Sequence, residues 1–162
     1  MSLDLGKKFI SQKNFKDAEK IFLDLNKNNN NFEINYNLGV VYFELRNIEK
    51  SLQFFEKCKK IDPKSLNTYL KVAYLEQSTG DIEKSLSTYL KVLDINIRDI
   101  RAYYGIFTLK PNFLKTSHFE IIKQINDNPN PNILEKFLSK FLLSKKEKNE
   151  RKKSKPKNSK KQ

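Results

Sequence analysis

Apolar and polar residues follow one another with the period of an amphipathic helix over roughly the first hundred residues. The clearest stripe has apolar residues at positions i, i+3, i+4 and i+7: Leu38, Val41, Tyr42 and Leu45. This spacing places the side chains on one face of an α-helix. Similar stripes are separated by turn residues such as Gly80-Asp81 and Asp62-Pro63. The pattern predicts a series of short helices of about 12 residues each.

A repeat underlies these stripes. Residues 47–52 (NIEKSL) return as residues 81–86 (DIEKSL), 34 positions later, and a more divergent copy, residues 14–19 (NFKDAE), lies 33 positions earlier. Self-similarity at a period of this size is typical of stacked helical or solenoid repeats. Such stacks present extended surfaces to partners. The period therefore favours a binding protein.

Three sets of equivalent residues explain how the predicted helices pack. The first set consists of small residues on the first helix of each pair, where the two helices cross closely. The second set consists of small residues at the matching positions of the second helix. The third set consists of aromatic residues that fill the space between one helix pair and the next. The sets are Gly6, Gly39 and Ala73; Ala18, Ser51 and Ser85; and Phe22, Phe55 and Tyr89.

The middle copy reads N-x2-L-G-x2-Y from Asn35, then S-x3-F from Ser51, then Pro63. It resembles the tetratricopeptide repeat (TPR) pattern W-x2-L-G-x2-Y, A-x3-F, P, with Asn35 for the Trp and Ser51 for the Ala. The resemblance covers residues 2–99. It implies an all-α, right-handed solenoid of helical hairpins with repeats at 1–31, 32–65 and 66–99, followed by C-terminal capping helices.

The segment 100–144 is predicted to be a degenerate fourth repeat with capping helices. We expect helices near 100–109, 118–127 and 132–146, the last covering the exposed face of the final repeat. Proline at 111 should end the first of them. Capping boxes, in which a polar residue is followed three positions later by Glu, are predicted at Ser117 to Glu120 and at Asn132 to Glu135.

Part of this segment carries a second resemblance. Residues 103–106 (YYGI), 109–110 (LK) and 118–122 (HFEII) are similar to the connector that follows the repeats in bacterial TPR-sulfotransferase fusion proteins. In those proteins a catalytic domain with a phosphate-binding loop comes next, and this sequence has no such loop. The resemblance implies a free-standing or truncated repeat module without the enzyme.

Composition gives little support for catalysis. The chain has one histidine, His118, and one cysteine, Cys58, and its four glycines are isolated, so neither a zinc set nor a phosphate loop is predicted. Cys58 lies on an apolar helix stripe and is interpreted as core packing. We expect a protein that is not an enzyme and binds no cofactor or metal. The absence of a signal peptide and of an apolar span favours a cytoplasmic location.

Charge is concentrated at the C-terminus. Residues 145–162 contain ten Lys or Arg and two Glu, a net +8 out of +13 for the chain. A segment without apolar residues cannot bury a face, so it is predicted to be disordered or a frayed helix extension. It is either a solubilising tail or a site for nucleic acid, ribosomes or an anionic membrane surface, although no aromatic residue interleaves it for base stacking. The candidate residues are Lys145, Lys146, Lys148, Arg151, Lys152, Lys153 and Lys155.

The TPR resemblance also implies a concave groove lined by the first helix of each pair. The candidate groove residues are Lys7, Tyr36, Asn37, Val40, Phe43, Glu44, Leu70, Lys71, Tyr74 and Gln77. We predict that this face binds a peptide or protein segment, with Tyr36, Phe43 and Tyr74 as the main contacts. The alternative is that these aromatic residues only pack against the helices after the repeats. The protein is expected to act as a monomer or as part of a complex.

A subset of TPR proteins holds a partner's C-terminal carboxylate with five Lys, Asn and Arg residues. In this sequence Asn37 matches one of the five and Lys71 stands where the Arg would be. Leu3, Lys7 and Asn67 occupy the other three positions. The resemblance therefore implies no complete carboxylate clamp.

Overall fold

The computed structural model describes residues 2–29 and 31–154, and these residues form α-helices, one short 3₁₀ turn and loops without any β-strand. The chain divides into two compact units, Met1–Ile95 and Asn96–Gln162. The all-α prediction is confirmed, and the first unit has the predicted helical hairpins.

Three hairpins make up the first unit. Their helices are α1 (Leu3–Ser11) with α2 (Phe15–Asn28), α3 (Phe32–Glu44) with α4 (Ile48–Ile61), and α5 (Leu66–Ser78) with α6 (Ile82–Ile95). Within the described residues, α2 packs against α3 and α4 against α5, so each hairpin contacts the next.

The repeated sequence motif marks the start of the second helix of each hairpin. The side chain of Asn47 accepts a hydrogen bond from the Lys50 N–H at 3.1 Å, and Asp81 accepts one from the Lys84 N–H at 3.3 Å. Asn14 has the same role in the first hairpin. Asn and Asp are favoured at this position because their short side chains satisfy an otherwise unpaired helix N–H. The motif is therefore a helix cap.

Each hairpin turn also contains one residue in the left-handed backbone region. These residues are Lys13 (φ 57°), Arg46 (φ 60°) and Gly80 (φ 83°). Only the third repeat has glycine there, the residue that adopts this conformation without steric cost. The turn signal visible at Gly80 thus marks a geometry that all three hairpins share.

Small residues allow the two helices of a hairpin to cross closely, as predicted. A Cβ atom added to Gly39 would lie 2.8 Å from the ring of Phe55, and one added to Gly6 would lie 2.6 Å from the ring of Phe22. Both rings are fully buried. The buried hydroxyl of Ser51 donates to the Gly39 carbonyl at 2.7 Å, so the serine that replaces the usual alanine is satisfied by a hydrogen bond.

The second unit contains α7 (Ile100–Leu109), a 3₁₀ turn (Pro111–Phe113), α8 (Thr116–Asn126) and α9 (Ile133–Ser154). The three helices lie where they were predicted, and α7 ends before Pro111. Helix α9, however, continues past the predicted end at residue 146, so residues 145–154 are helical. Of the two alternatives for this segment, the helix extension agrees with the structure over these residues and disorder does not. Residues 155–162 lie outside the described part of the chain. That α7–α9 cap the repeats stays a prediction.

One of the two predicted capping boxes is wrong. Helix α8 begins at Thr116, and the N–H of Lys115 donates to Nδ1 of His118 at 2.9 Å, so His118 takes the role assigned to Glu120. The second box is confirmed: the Asn132 N–H donates to the Glu135 carboxylate at 3.0 Å, and the Glu135 N–H donates to the Asn132 side chain at 2.9 Å.

The His118 cap should make stability depend on pH. Burial, and to a smaller extent the charge of Lys115, lowers the pKa of His118 below its ordinary value of 6.5. Protonation removes the Nδ1 acceptor, so the cap's contribution is complete above pH 6.5 and is lost as the pH falls through the lowered pKa. Between about pH 7.5 and about pH 5.5 we expect the free energy of unfolding to fall by about 0.5–1 kcal/mol, the contribution of one hydrogen bond.

The matched variant is His118→Gln, because glutamine can accept the same bond from this helix position and does not titrate. Urea unfolding at both pH values should show the loss in the wild type and a smaller loss in the variant. Equal losses in the two proteins would show that His118 does not cause the pH dependence.

Candidate peptide-binding face

The first helices of the hairpins, α1, α3 and α5, lie side by side. Lys7 of α1 forms an ion pair with Glu33 of α3. Between α3 and α5, the rings of Phe43 and Tyr74 have centroids 5.6 Å apart, and the Lys71 ammonium lies 5.1 Å from the Phe43 ring centroid. The fold thus brings together the predicted groove residues Phe43, Lys71 and Tyr74 of the second and third repeats, whereas Lys7 of the first repeat contacts Glu33, which was not predicted.

Phe43 and Tyr74 form an aromatic pair at the α3–α5 junction. Phe43 is half-buried and packs against the core cluster of Phe55, Val72 and Leu75. Tyr74 is 50% exposed although its ring lies beside that of Phe43. Phe43 therefore contacts the core, whereas Tyr74 beside it is open to solvent. Lys71 places a positive charge next to the pair.

Tyr36 differs from this pair. Its ring stacks on Phe32 at 5.8 Å and meets the edge of Phe55 at 5.5 Å, and its side chain is half-buried. These contacts hold it against the buried ring at the centre of the second hairpin. Tyr36 was predicted as a main contact for a partner, but much of its surface serves the packing of its own repeat.

The remaining groove candidates have modest exposure. Val40, Leu70 and Gln77 are half-buried, and Glu44 is exposed at the end of α3. Asn37 donates its side-chain amide to the Glu33 carbonyl of its own helix at 2.8 Å. Asn37 and Lys7, two residues at positions of the carboxylate clamp, thus both interact with Glu33.

Glu33 was missed by sequence reasoning. It lies in the first turn of α3, where an acidic side chain is favoured by the helix dipole, and it pairs with Lys7 across the first two repeats. The sequence feature that could have identified it is an acidic residue one helical turn before Asn37. Repeat alignment overlooked it because Glu33 has no acidic counterpart at Asn67 in the next repeat.

The single cysteine, one of the residues considered for chemistry, belongs to the core. Cys58 is buried, and burial raises the pKa of its thiol to about 12, which agrees with core packing. Within residues 2–29 and 31–154, no cluster of His, Cys, Asp and Glu could hold a metal ion. None of the helices in this part of the chain is long and apolar enough to span a membrane.

Two of the basic residues predicted as a polyanion site lie over aromatic rings on or beside α9. Lys145 lies 5.1 Å from the Phe141 ring centroid and Lys146 lies 5.2 Å from that of Phe119. Lys148, Arg151 and Lys152 are exposed. The side chain of Lys153, and Lys155 altogether, lie outside the described residues. The basic segment contains no aromatic residue of its own, but Phe141 and Phe119 lie beside two of its lysines.

Comparison with known proteins agrees with this architecture. Residues 32–65 match the family model of the tetratricopeptide repeat. The chain is similar in fold to YrrB, described as a TPR protein with an unusual peptide-binding site, at 17% identity and a TM-score of 0.64, over 87% of this chain and 71% of that one. No curated protein matches the chain significantly in sequence.

Two structures of MamA are also similar. The one described as MamA MSR-1 C2 has 12% identity and a TM-score of 0.62, covering 89% of this chain and 76% of the MamA chain. The other has 17% identity and a TM-score of 0.57, covering 93% and 99%. Identities this low establish the fold alone.

Proposed function

Because residues 32–65 match the tetratricopeptide repeat and the chain shares the fold of TPR proteins, we propose that it is a noncatalytic interaction module that binds a peptide or protein segment on the face formed by α1, α3 and α5. The observation that carries the proposal is the aromatic pair, in which the half-exposed Tyr74 is held beside Phe43 and Lys71. Aromatic residues on rigid elements are the usual anchors of protein interfaces.

The chemistry of the face favours a segment with an apolar side chain. An apolar side chain of the partner would cover Tyr74 and the half-buried Val40 and Leu70, removing their exposed surface from water. Lys71 lies close enough to interact with a partner carboxylate next to that anchor. Rigid helices limit the conformational entropy lost on binding, because the face is already formed.

The likeness to YrrB supports this proposal at the level of fold. YrrB is described as having a peptide-binding site, and a repeat stack of this kind can present such a site on an extended surface. The location of the site in this chain rests on its own residues, since the two sequences share 17% identity.

Truncation of Tyr74 is the direct test. Peptides selected from a random displayed library on the full-length protein would be measured for affinity by fluorescence anisotropy. We expect Tyr74→Ala to weaken binding at least tenfold, about 1.4 kcal/mol or more, as for a central interface residue. Tyr74 is half-exposed, so its loss should leave the fold intact, whereas Tyr36→Ala would also remove packing on Phe55.

Tyr104→Ala is the matched control, because Tyr104 is an exposed tyrosine (37%) in the second unit. Its affinity should stay within about threefold of the wild type. If Tyr74→Ala binds the selected peptides as well as the wild type does, the α1–α3–α5 face is not the site.

A further inference from the structure

The second unit contains a pocket of about 670 Å³ between the end of α7, the 3₁₀ turn, the start of α8 and the later part of α9. Its lining includes the apolar residues Phe107, Leu114 and Phe119 and the basic residues Lys115, Lys146 and Lys152. We call it the second-unit pocket. Its volume lies in the range of about 300–1,000 Å³ that is common for small-molecule sites.

Positive charge dominates the polar part of this lining. Three lysines face one acidic residue, Glu150, giving a formal balance of +2. Lys146 lies 3.8 Å from the Glu150 carboxylate. Within the described part of the chain, neither Lys115 nor Lys152 has a carboxylate within 4.0 Å. Two cations, both exposed at the rim of the pocket, are thus left to attract an anionic ligand.

The apolar part of the lining distinguishes this pocket from a simple basic patch. Leu114 and Phe119 are 7% and 8% exposed, and Phe107 is half-buried. Of the three, Phe107 keeps the largest exposed fraction, and an inorganic ion would leave its ring in contact with water. A ligand with an apolar body would displace that water and gain from the burial of apolar surface.

We propose that the second-unit pocket binds a small organic anion, with an aromatic or other apolar body on Phe107, Leu114 and Phe119 and an acidic group among Lys115, Lys146 and Lys152. All of these residues belong to the second unit. The pocket therefore adds a binding site to the peptide-binding face proposed for the first unit.

Two dyes with the same ring system provide the test. 1-Anilinonaphthalene-8-sulfonate carries an acidic group, and N-phenyl-1-naphthylamine lacks it. Fluorescence titration of the full-length protein should show saturable binding of one sulfonate dye per chain and binding of the neutral dye that is weaker by at least about tenfold. Equal affinities for both dyes would overturn the proposed role of the lysines.

Paired lysine variants assign the site. We expect Lys115→Gln with Lys152→Gln to weaken the sulfonate dye about tenfold, the combined effect of two partly exposed charges. Lys140→Gln with Lys148→Gln is the matched control, because both lysines are exposed on α9 and do not line the pocket. If both double variants lost the same affinity for the dye, the loss would be due to the lower net charge of the protein, and the proposal would be wrong.

Two further measurements distinguish dye binding in the second-unit pocket from binding elsewhere. Tyr74→Ala should leave dye binding unchanged, since Tyr74 belongs to the first unit; a loss there would place the dye on the peptide-binding face and contradict the proposal. A mononucleotide should displace the dye at the same molar concentration as a single-stranded oligonucleotide does. Displacement by the oligonucleotide alone would replace the small-anion proposal with nucleic-acid binding.

Discussion

Replacing Phe55 by alanine will lower the free energy of unfolding by about 3–5 kcal/mol, the range measured for fully buried aromatic residues. The ring of Phe55 is 0% exposed. It packs over Gly39 and against the edge of Tyr36, so its removal leaves a cavity between the helices of the second hairpin. Urea unfolding followed by circular dichroism would measure the loss.

Phe137→Ala is the control for this substitution, because Phe137 is the same residue type with 66% exposure. Its effect should stay within about 0.5 kcal/mol of zero, as for most surface changes. If Phe55→Ala lowers the free energy of unfolding by less than about 1 kcal/mol, Phe55 is not a principal packing residue of the second hairpin. The packing derived from the repeat would then be wrong.

Gly39→Val will destabilise the same hairpin by about 2–3 kcal/mol through overpacking. Even a single Cβ atom at Gly39 would lie 2.8 Å from the Phe55 ring, closer than non-bonded carbon atoms approach, and valine adds two more carbon atoms. The ring has little freedom to move, because it is fully buried. The change should appear as a lower urea midpoint with no loss of helical signal at zero denaturant.

The cause can be isolated with a second substitution. Phe55→Leu reduces the volume opposite Gly39, so the double variant Gly39→Val/Phe55→Leu should lose less free energy than the sum of the two single variants, by about 1 kcal/mol or more. Additive losses would show that the cost arises elsewhere, for example in the helix backbone, and not from contact with the ring.

The repeat carried most of the fold prediction because its signals are local. Asn47 and Asp81 cap helices from within one turn of sequence, and Gly39 opposite Phe55 reflects a helix crossing that every copy shares. Such features follow from spacing alone. The helices of the second unit were located in the same way, by caps and by Pro111.

The errors arose where the prediction relied on apolar patterning or on a standard motif and left out other local signals. Residues 145–154 have no apolar face of their own, yet α9 continues through them. Lys145 lies over Phe141 one turn earlier, and Lys146 pairs with Glu150 one turn later; lysine, glutamate and arginine are also strong helix formers. At α8 the sequence offered Glu120, but His118 makes the cap.

The candidate face shows the same limit. Repeat alignment assigned Tyr36, Phe43 and Tyr74 equally to the groove, since alignment gives a position on a helix and not a side-chain direction. In the structure Tyr36 turns its ring to Phe32 and Phe55, whereas Tyr74 is half-exposed. Which aromatic residue is available to a partner therefore depends on side-chain packing within and between repeats, which the alignment does not show.

The most direct test of the proposed function is to map the amide chemical-shift changes of isotope-labelled full-length protein when a selected peptide is added. We expect the largest changes to cluster on α3 and α5 around Val40, Phe43, Lys71 and Tyr74, where the aromatic pair lies. Changes confined to α7–α9 in the second unit would contradict binding on the repeat face.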